Sequence, residues 1–201
     1  MNMDKPFHIE VTVDAPLDVV WRELTEPDRI KHWFGWDYEG LDGEIEFIFV
    51  EHAELHPPDR IEMGMEQTIS LVAVDKYVTV VRITKPGDLD ALEWKDVYGD
   101  IEEGWIEFFE QLRYRLSVAP GAARRTILRE GPARLVDLPG TPWHASQFQR
   151  GFVSDGALAV LGVKPDGAGR LVVTTYGLDD DAFAAAEARW DAVWESMAAA
   201  V

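Results

Sequence analysis

The sequence predicts an α+β fold in which an antiparallel sheet buries one face against a long helix. Apolar and polar residues alternate over residues 7–13 and within 67–85, a pattern typical of half-buried strands. From residues 100 and 179 onward, apolar residues instead recur at helical spacing. Because an antiparallel sheet has one face to bury, a long helix after the strands is the element available to cover it.

The first predicted elements are one strand and two short helices. Alternation over residues 7–13 predicts the strand. Pro16 suits the first turn of a helix. The apolar stripe of that helix is formed by Leu17, Val20, Trp21 and Leu24. Thr25 then predicts the cap of a second, shorter helix that carries Trp33 and Phe34 toward its end.

Further strands and the long helix follow. Ile45, Phe47 and Phe49 alternate with other side chains and predict a strand, and a second strand is predicted around residues 61–65. Residues 67–85 predict two strands joined tightly near residue 75. A helix begins at residue 100. Its buried face is marked by Trp105, Phe109, Leu112 and Leu116.

The pattern after residue 119 is weaker. Residues 125–137 predict a hairpin that turns at Glu130-Gly131-Pro132, and residues 156–177 predict a clearer hairpin with a glycine-rich loop. Residues 141–152 are interpreted as a loop packed over the first part of the chain, or as a lid over a cavity. Acidic residues at 179–181 predict the start of a terminal helix. The apolar stripe of that helix is formed by Phe183, Trp190, Trp194 and Met197.

Two parts of the chain are therefore predicted, residues 1–118 and residues 119–201. The second part is a smaller α+β part of strands and one helix. A degenerate second copy of the first part is one interpretation, because the two long helices share a spacing of aromatic residues. The shared positions are Trp105, Phe109 and Leu112 in one helix and Trp190, Trp194 and Met197 in the other. Chance similarity between two amphipathic helices explains the spacing equally well.

Two segments, IEVTVDAPLDVVWRELTEPDRIKHWFG and EEGWIEFFEQLRYRL, resemble the START-like (SRPBCC) superfamily, in the branch related to the activator of the Hsp90 ATPase. The shared features are Pro16, Val20-Trp21, Thr25-Glu26-Pro27, Trp33-Phe34, Gly104-Trp105 and Leu112. The resemblance covers residues 1–117 and implies a helix-grip fold, a curved antiparallel sheet wrapped around a long C-terminal helix. Many members of the superfamily hold an apolar ligand in the cavity between sheet and helix.

Aromatic and methionine side chains of the first part form the predicted ligand site. Trp33, Phe34 and Trp36 are predicted to form an entrance wall. The predicted interior lining is Phe47, Phe49, Met63, Leu71, Trp105 and Phe109. The alternative is that these residues are ordinary core. The sequence selects no catalytic residue. Polar residues that could face a cavity are Glu44, Glu46, Arg82, Tyr98 and His144.

The predicted function is the binding of an apolar or aromatic small molecule, with affinity from buried apolar area. One alternative is a cyclase- or hydrolase-type enzyme that acts inside the cavity, as certain START-like relatives do. The other is a protein-interaction module, as the resemblance to the Hsp90 activator implies. A protein partner and a homo-oligomer are both compatible with the sequence.

Charge and cysteine content exclude several classes of function. The formal net charge is −18, and residues 1–117 hold 27 of the 37 acidic residues. Such a surface repels phosphate backbones, so no nucleic acid partner is predicted. The absence of cysteine excludes disulfides and thiolate metal sites, and it fits a reducing cytoplasm. No apolar run is long enough for a signal peptide or a membrane span, so a cytoplasmic protein is expected.

No metal site and no cofactor are predicted. The segment EHAELH, residues 51–56, would place His52, Glu54 and His56 on one face of a strand, an arrangement that could hold a metal ion. Pro57-Pro58 directly afterwards indicates an exposed strand end instead. The glycine-rich segment after residue 163 lies between two predicted strands rather than before a helix, so it does not predict a phosphate site.

Overall fold

A computed structural model describes residues 5–88, 94, 97–118 and 121–198. The chain divides into a first unit, Met1–Ser117, and a second unit, Val118–Val201. Each unit contains a five-stranded antiparallel sheet. The α+β class with antiparallel sheets is therefore confirmed.

The sheet of the first unit has the strand order β1-β5-β4-β3-β2. Its strands are β1 (Phe7–Val13), β2 (Ala53–His56), β3 (Arg60–Met63), β4 (Gln67–Ala73) and β5 (Thr79–Lys85). The register places Val11 opposite Val81 and Ile9 opposite Ile83. Alternate residues of β4 and β5 are buried, as the period of two predicts.

Most helices of the first unit lie between β1 and β2 along the chain, and one long helix follows β5. They are α1 (Leu17–Thr25), α2 (Pro27–Ile30), α3 (Leu41–Glu46), a π-helical turn (Phe47–Glu51) and α4 (Asp100–Val118). Pro16 is the N-cap of α1, and α4 starts where the sequence predicts. Thr25 does not cap α2, because its hydroxyl donates to the Trp21 carbonyl oxygen and Glu26 takes the N-cap position.

The strand predicted around residues 45–49 is wrong, since these residues are helical. Leu41, Ile45 and Phe49 lie four residues apart and are all buried, so one helical stripe enters the core. Phe47 lies on the other side of this helix and is 54% exposed. The alternation that suggested a strand was also compatible with a helical stripe that begins earlier, at Leu41.

The second unit has the strand order β6-β10-β9-β8-β7. Its elements are β6 (Arg124–Pro132), β7 (Thr141–Ala145), β8 (Gln149–Ser154), β9 (Ala157–Val163), β10 (Ala168–Tyr176) and α5 (Asp180–Ala198). Its own hydrophobic core includes Leu161, Leu171, Val173 and Trp190. The predicted hairpin at residues 156–177 is confirmed as β9 and β10. Asp179 caps α5, because its Oδ1 accepts the Ala182 N–H at 2.8 Å.

Two predictions for the second unit are wrong. No turn occurs at residues 130–132, because β6 continues to Pro132 and pairs with β10 along its whole length. Pro132 is tolerated there because β6 is an edge strand. Residues 141–152 are not a loop or lid, since they form the paired strands β7 and most of β8. Pro142 lies on the other edge strand, next to a shift in register.

Candidate functional site

The aromatic cluster of the first unit consists of Trp33, Phe34, Phe49, Trp105 and Phe109. All five residues are buried. The ring centroids of Phe34 and Phe49 are 5.1 Å apart, and those of Trp105 and Phe109 are 5.5 Å apart, both edge to face. These separations are favourable contacts between aromatic rings, so the five rings stabilise the unit by packing against one another.

Both indole N–H groups of the aromatic cluster bond to protein atoms. Trp33 Nε1 donates to the Glu23 carbonyl oxygen at 2.9 Å. Trp105 Nε1 donates to Gln67 Oε1 at 2.6 Å. The rings are therefore fixed by hydrogen bonds to α1 and to the first residue of β4, as buried tryptophans require.

The structure brings seven of the nine predicted site residues into one core. Besides the aromatic cluster, these are Met63 and Leu71 on the buried face of the sheet. Trp36 is only half-buried and lies beside Tyr38, with ring centroids 6.4 Å apart. The predicted interior position of Phe47 is wrong. Its ring lies over His52 at 4.1 Å, because the helical backbone turns it away from Phe49.

Tyr38 and the predicted polar candidate Glu44 are exposed, whereas the candidate Arg82 is half-buried. The Tyr38 hydroxyl donates to Glu44, and desolvation together with that carboxylate raises the pKa of Tyr38 to about 12. Arg82 Nε donates to Glu10 Oε2 at 2.7 Å. The pKa of Glu10 is lowered, first by its hydrogen bond to Arg82. Glu46 is exposed, and Tyr98 and His144 are half-buried.

Sequence reasoning missed a buried ion pair in the first unit. Arg115 Nε donates to Glu23 Oε2 at 2.8 Å, and both side chains are only 2% exposed. Arg29 donates to the other carboxylate oxygen of Glu23 at 3.1 Å. A signal was available on α4. Polar residues recur there every fourth position and are buried: Glu103, Glu107, Gln111 and Arg115.

An open groove lies in the second unit between α5 and the segment 133–140. Its volume is about 520 Å³. The apolar lining consists of Leu138, Pro139, Ala192, Val193 and Met197. Asp137, Arg189 and Ser196 complete it. The groove is therefore an apolar surface with a few polar groups, as in many small-molecule sites.

Arg189 lies at the groove with its side chain held by neighbouring groups. It forms an ion pair with Asp155, and its guanidinium donates to Ser154 Oγ at 2.7 Å. The guanidinium carbon also lies 5.5 Å from the centre of the Trp190 ring. These contacts hold the arginine side chain in one place beside the groove.

The opposite flank of α5 is attached to the sheet. Arg129 on β6 donates to Asp191 Oδ1 at 2.5 Å and to Glu187 Oε1 at 3.2 Å. Its pKa is raised, first by the hydrogen bond to Asp191. Asp191 and Arg189 are two residues apart, so their side chains point in directions about 160° apart around the helix axis. The helix α5 is therefore bonded to β6 through Asp191 and to the end of β8 through Arg189, and the groove lies on the Arg189 side.

Two solved structures resemble this chain at low sequence identity. No family model matches the sequence, and neither does any curated protein. DynU16, a protein in the dynemicin biosynthetic locus, is 16% identical over 95% of each chain, with a TM-score of 0.36. The di-domain ARO/CYC protein BexL, from the BE-7585A biosynthetic pathway, is 11% identical over 86% of this chain and 85% of its own, with a TM-score of 0.41.

These TM-scores are too low to carry a functional argument. The resemblance to the Hsp90 activator branch, which rests on motifs, stays a prediction. In the part of the chain that the structure describes, helices long enough to cross a bilayer are too polar to do so.

Proposed function

We propose that this protein binds an apolar or aromatic small molecule in the groove of the second unit. The groove itself carries the proposal. Its volume of about 520 Å³ falls within the range of roughly 300–1,000 Å³ typical of small-molecule sites. Its apolar lining would supply affinity through buried area.

The topology of the two units supports this location. We propose that both are helix-grip domains and that the second is a shortened copy, since each sheet pairs its first strand with its last and keeps the same order. Residues 14–52 join the first two strands in the first unit, and only residues 133–140 join them in the second. The long connection carries α1–α3 and supplies Trp33, Phe34 and Phe49 to pack with α4. The short one lies beside the groove.

The ligand site predicted in the first unit stays an alternative location. The aromatic cluster there packs ring against ring, which supports its role as core.

Binding also suits the second-unit groove better than cyclase or hydrolase chemistry does. Its exposed polar residues are Asp137 and Ser196, and Arg189 is already engaged by Asp155 and Ser154. The protein-interaction alternative stays a prediction of the motifs alone.

Ala192→Trp is expected to weaken the binding of 1-anilinonaphthalene-8-sulfonate, an anionic aromatic probe, about tenfold. The indole would fill part of the groove from α5. Loss of about 60 Å² of apolar contact costs roughly 1.5 kcal/mol, which corresponds to a tenfold change in Kd. Fluorescence titration of the full chain measures this Kd directly.

Ala184→Trp is the matched control, because Ala184 is exposed on the same helix and lies about 12 Å before Ala192 along its axis. It should leave the Kd unchanged. Phe108→Ala tests the first unit, since this half-buried ring packs against the aromatic cluster, with its centroid 4.6 Å from that of Phe34 and 5.9 Å from that of Trp105. Should Phe108→Ala weaken probe binding while Ala192→Trp does not, the site lies in the first unit and the proposal is wrong.

A further inference from the structure

One histidine and two glutamates meet on the outer face of the β2–β3 hairpin. Glu54 and His56 are two residues apart on β2, so their side chains share a face. Glu62 on β3 lies directly opposite Glu54 in the register. Adjacent strands thus bring together three side chains that sequence reasoning grouped differently. His52 is not among them, because it ends the π-helical turn before β2 and its Nδ1 lies 2.9 Å from the Phe47 carbonyl oxygen.

The distances within this trio exceed hydrogen-bond length. His56 Nε2 lies 3.5 Å from Glu54 Oε1 and 3.7 Å from Glu62 Oε2. Hydrogen bonds to nitrogen are normally about 2.7–3.2 Å long. Nε2 is also shielded from solvent and has no hydrogen-bond partner. A buried imidazole nitrogen without a partner is unfavourable, so its surroundings suit an additional ligand.

The same distances match two ligands of one metal ion. Zn²⁺ binds imidazole nitrogen and carboxylate oxygen at about 2.0–2.2 Å in tetrahedral geometry, which separates neighbouring ligand atoms by about 3.3–3.6 Å. One potential ligand atom from each of Glu54, His56 and Glu62 lies within 4.8 Å of the other two. Both measured separations from Nε2 are therefore within about 0.2 Å of metal-ligand spacing.

We propose that Glu54, His56 and Glu62 bind a divalent transition-metal ion of the zinc class. The imidazole ligand favours such ions over Mg²⁺ and Ca²⁺, which prefer oxygen. Two carboxylates placed opposite each other on neighbouring strands also repel, and a cation between them removes that repulsion. The acidic surroundings add to the attraction for cations.

Arg60 orients one of the carboxylates. Its guanidinium lies 3.3 Å from Glu62 Oε1, which leaves Oε2 directed at His56. Partners outside the ligand set commonly fix metal-binding carboxylates in this way. The His56 side chain is 33% exposed and both glutamates are more exposed, so the three side chains lie at the protein surface, with Nε2 covered beneath the carboxylates. Three protein ligands leave a fourth position for water.

Equilibrium dialysis of the full, tag-free chain against ZnCl₂ tests the site. We expect one Zn²⁺ per chain. His56→Ala and Glu62→Gln should each raise the Kd at least about tenfold, since each removes or weakens one of three ligands. Zinc should also raise the Tm of the wild-type protein and not that of either variant, because a ligand stabilises only the state that binds it.

His8→Ala is the control. His8 is an exposed histidine on the same sheet, with Glu10 Oε2 at 3.3 Å. This substitution should leave stoichiometry and Kd unchanged. Circular dichroism establishes that each variant is folded. Absence of stoichiometric zinc binding in the wild type would overturn the proposal, and so would zinc affinity that survives both His56→Ala and Glu62→Gln. The outcome of the zinc experiment does not depend on whether the groove of the second unit binds a small molecule.

Discussion

Glu23→Leu is expected to lower the free energy of unfolding by about 3–5 kcal/mol. The Glu23 carboxylate accepts hydrogen bonds from both Arg115 and Arg29. Arg115 is 2% exposed, so leucine would leave a buried cation without this carboxylate. Removing one partner of a buried ion pair typically costs this much. Urea denaturation followed by far-UV circular dichroism measures the change.

Glu26→Gln provides the matched control for this prediction. Glu26 also pairs with Arg29, at 2.5 Å, but both side chains are well exposed. Surface ion pairs contribute about 1 kcal/mol or less. Were Glu23→Leu to destabilise the protein no more than Glu26→Gln does, the Glu23–Arg115 pair would not be the buried interaction described above.

Trp190→Ala is expected to destabilise the second unit by about 3–5 kcal/mol. Trp190 is 1% exposed, and it is the buried residue of α5 within the described part of that helix. Truncating a fully buried tryptophan loses its burial and leaves a cavity between helix and sheet. Protection of β9 and β10 amides against hydrogen exchange should fall accordingly.

Trp194 lies one helical turn later and gives a control of the same residue type. It is only half-buried, and its ring lies near Gly131 of β6. Trp194→Ala should therefore cost less than half as much as Trp190→Ala. Equal losses from the two substitutions would mean that the core of the second unit is not centred on Trp190.

Much of the fold was predictable because a strand or helix that buries one face has apolar residues at regular intervals in its sequence. The strands β1, β4 and β5 bury alternate side chains, and α4 and α5 begin where their apolar stripes begin. The strands β9 and β10 each bury five consecutive residues, so their prediction depended on the glycine-rich loop between them. Around Phe47 the same periodicity is ambiguous. The neighbours of this residue fit a strand over five residues, and only Leu41 reveals the helical stripe.

The candidate sites were harder to predict because they depend on tertiary neighbours. Glu62 joins Glu54 and His56 only through the register of β2 and β3, which no local pattern encodes. The groove beside α5 exists because the connection between β6 and β7 is short and carries no helices. A sequence shows such a short connection, but it becomes informative only once the strand order is known.

The connection between β6 and β7 has to reach from one edge of the sheet to the other. Those two strands are the parallel edges of a five-stranded sheet, and four spacings between neighbouring strands amount to about 19 Å. The register also places Thr141 level with Thr126, which is about 20 Å along the strand direction from Pro132. The connection from Pro132 to Thr141, fully extended, reaches at most about 32 Å. Leu138 of this segment is buried in the core of the second unit, so the segment cannot follow a fully extended path. The segment thus has little slack. Deleting residues there would pull β7 off the sheet, whereas inserted residues leave every strand pair in place.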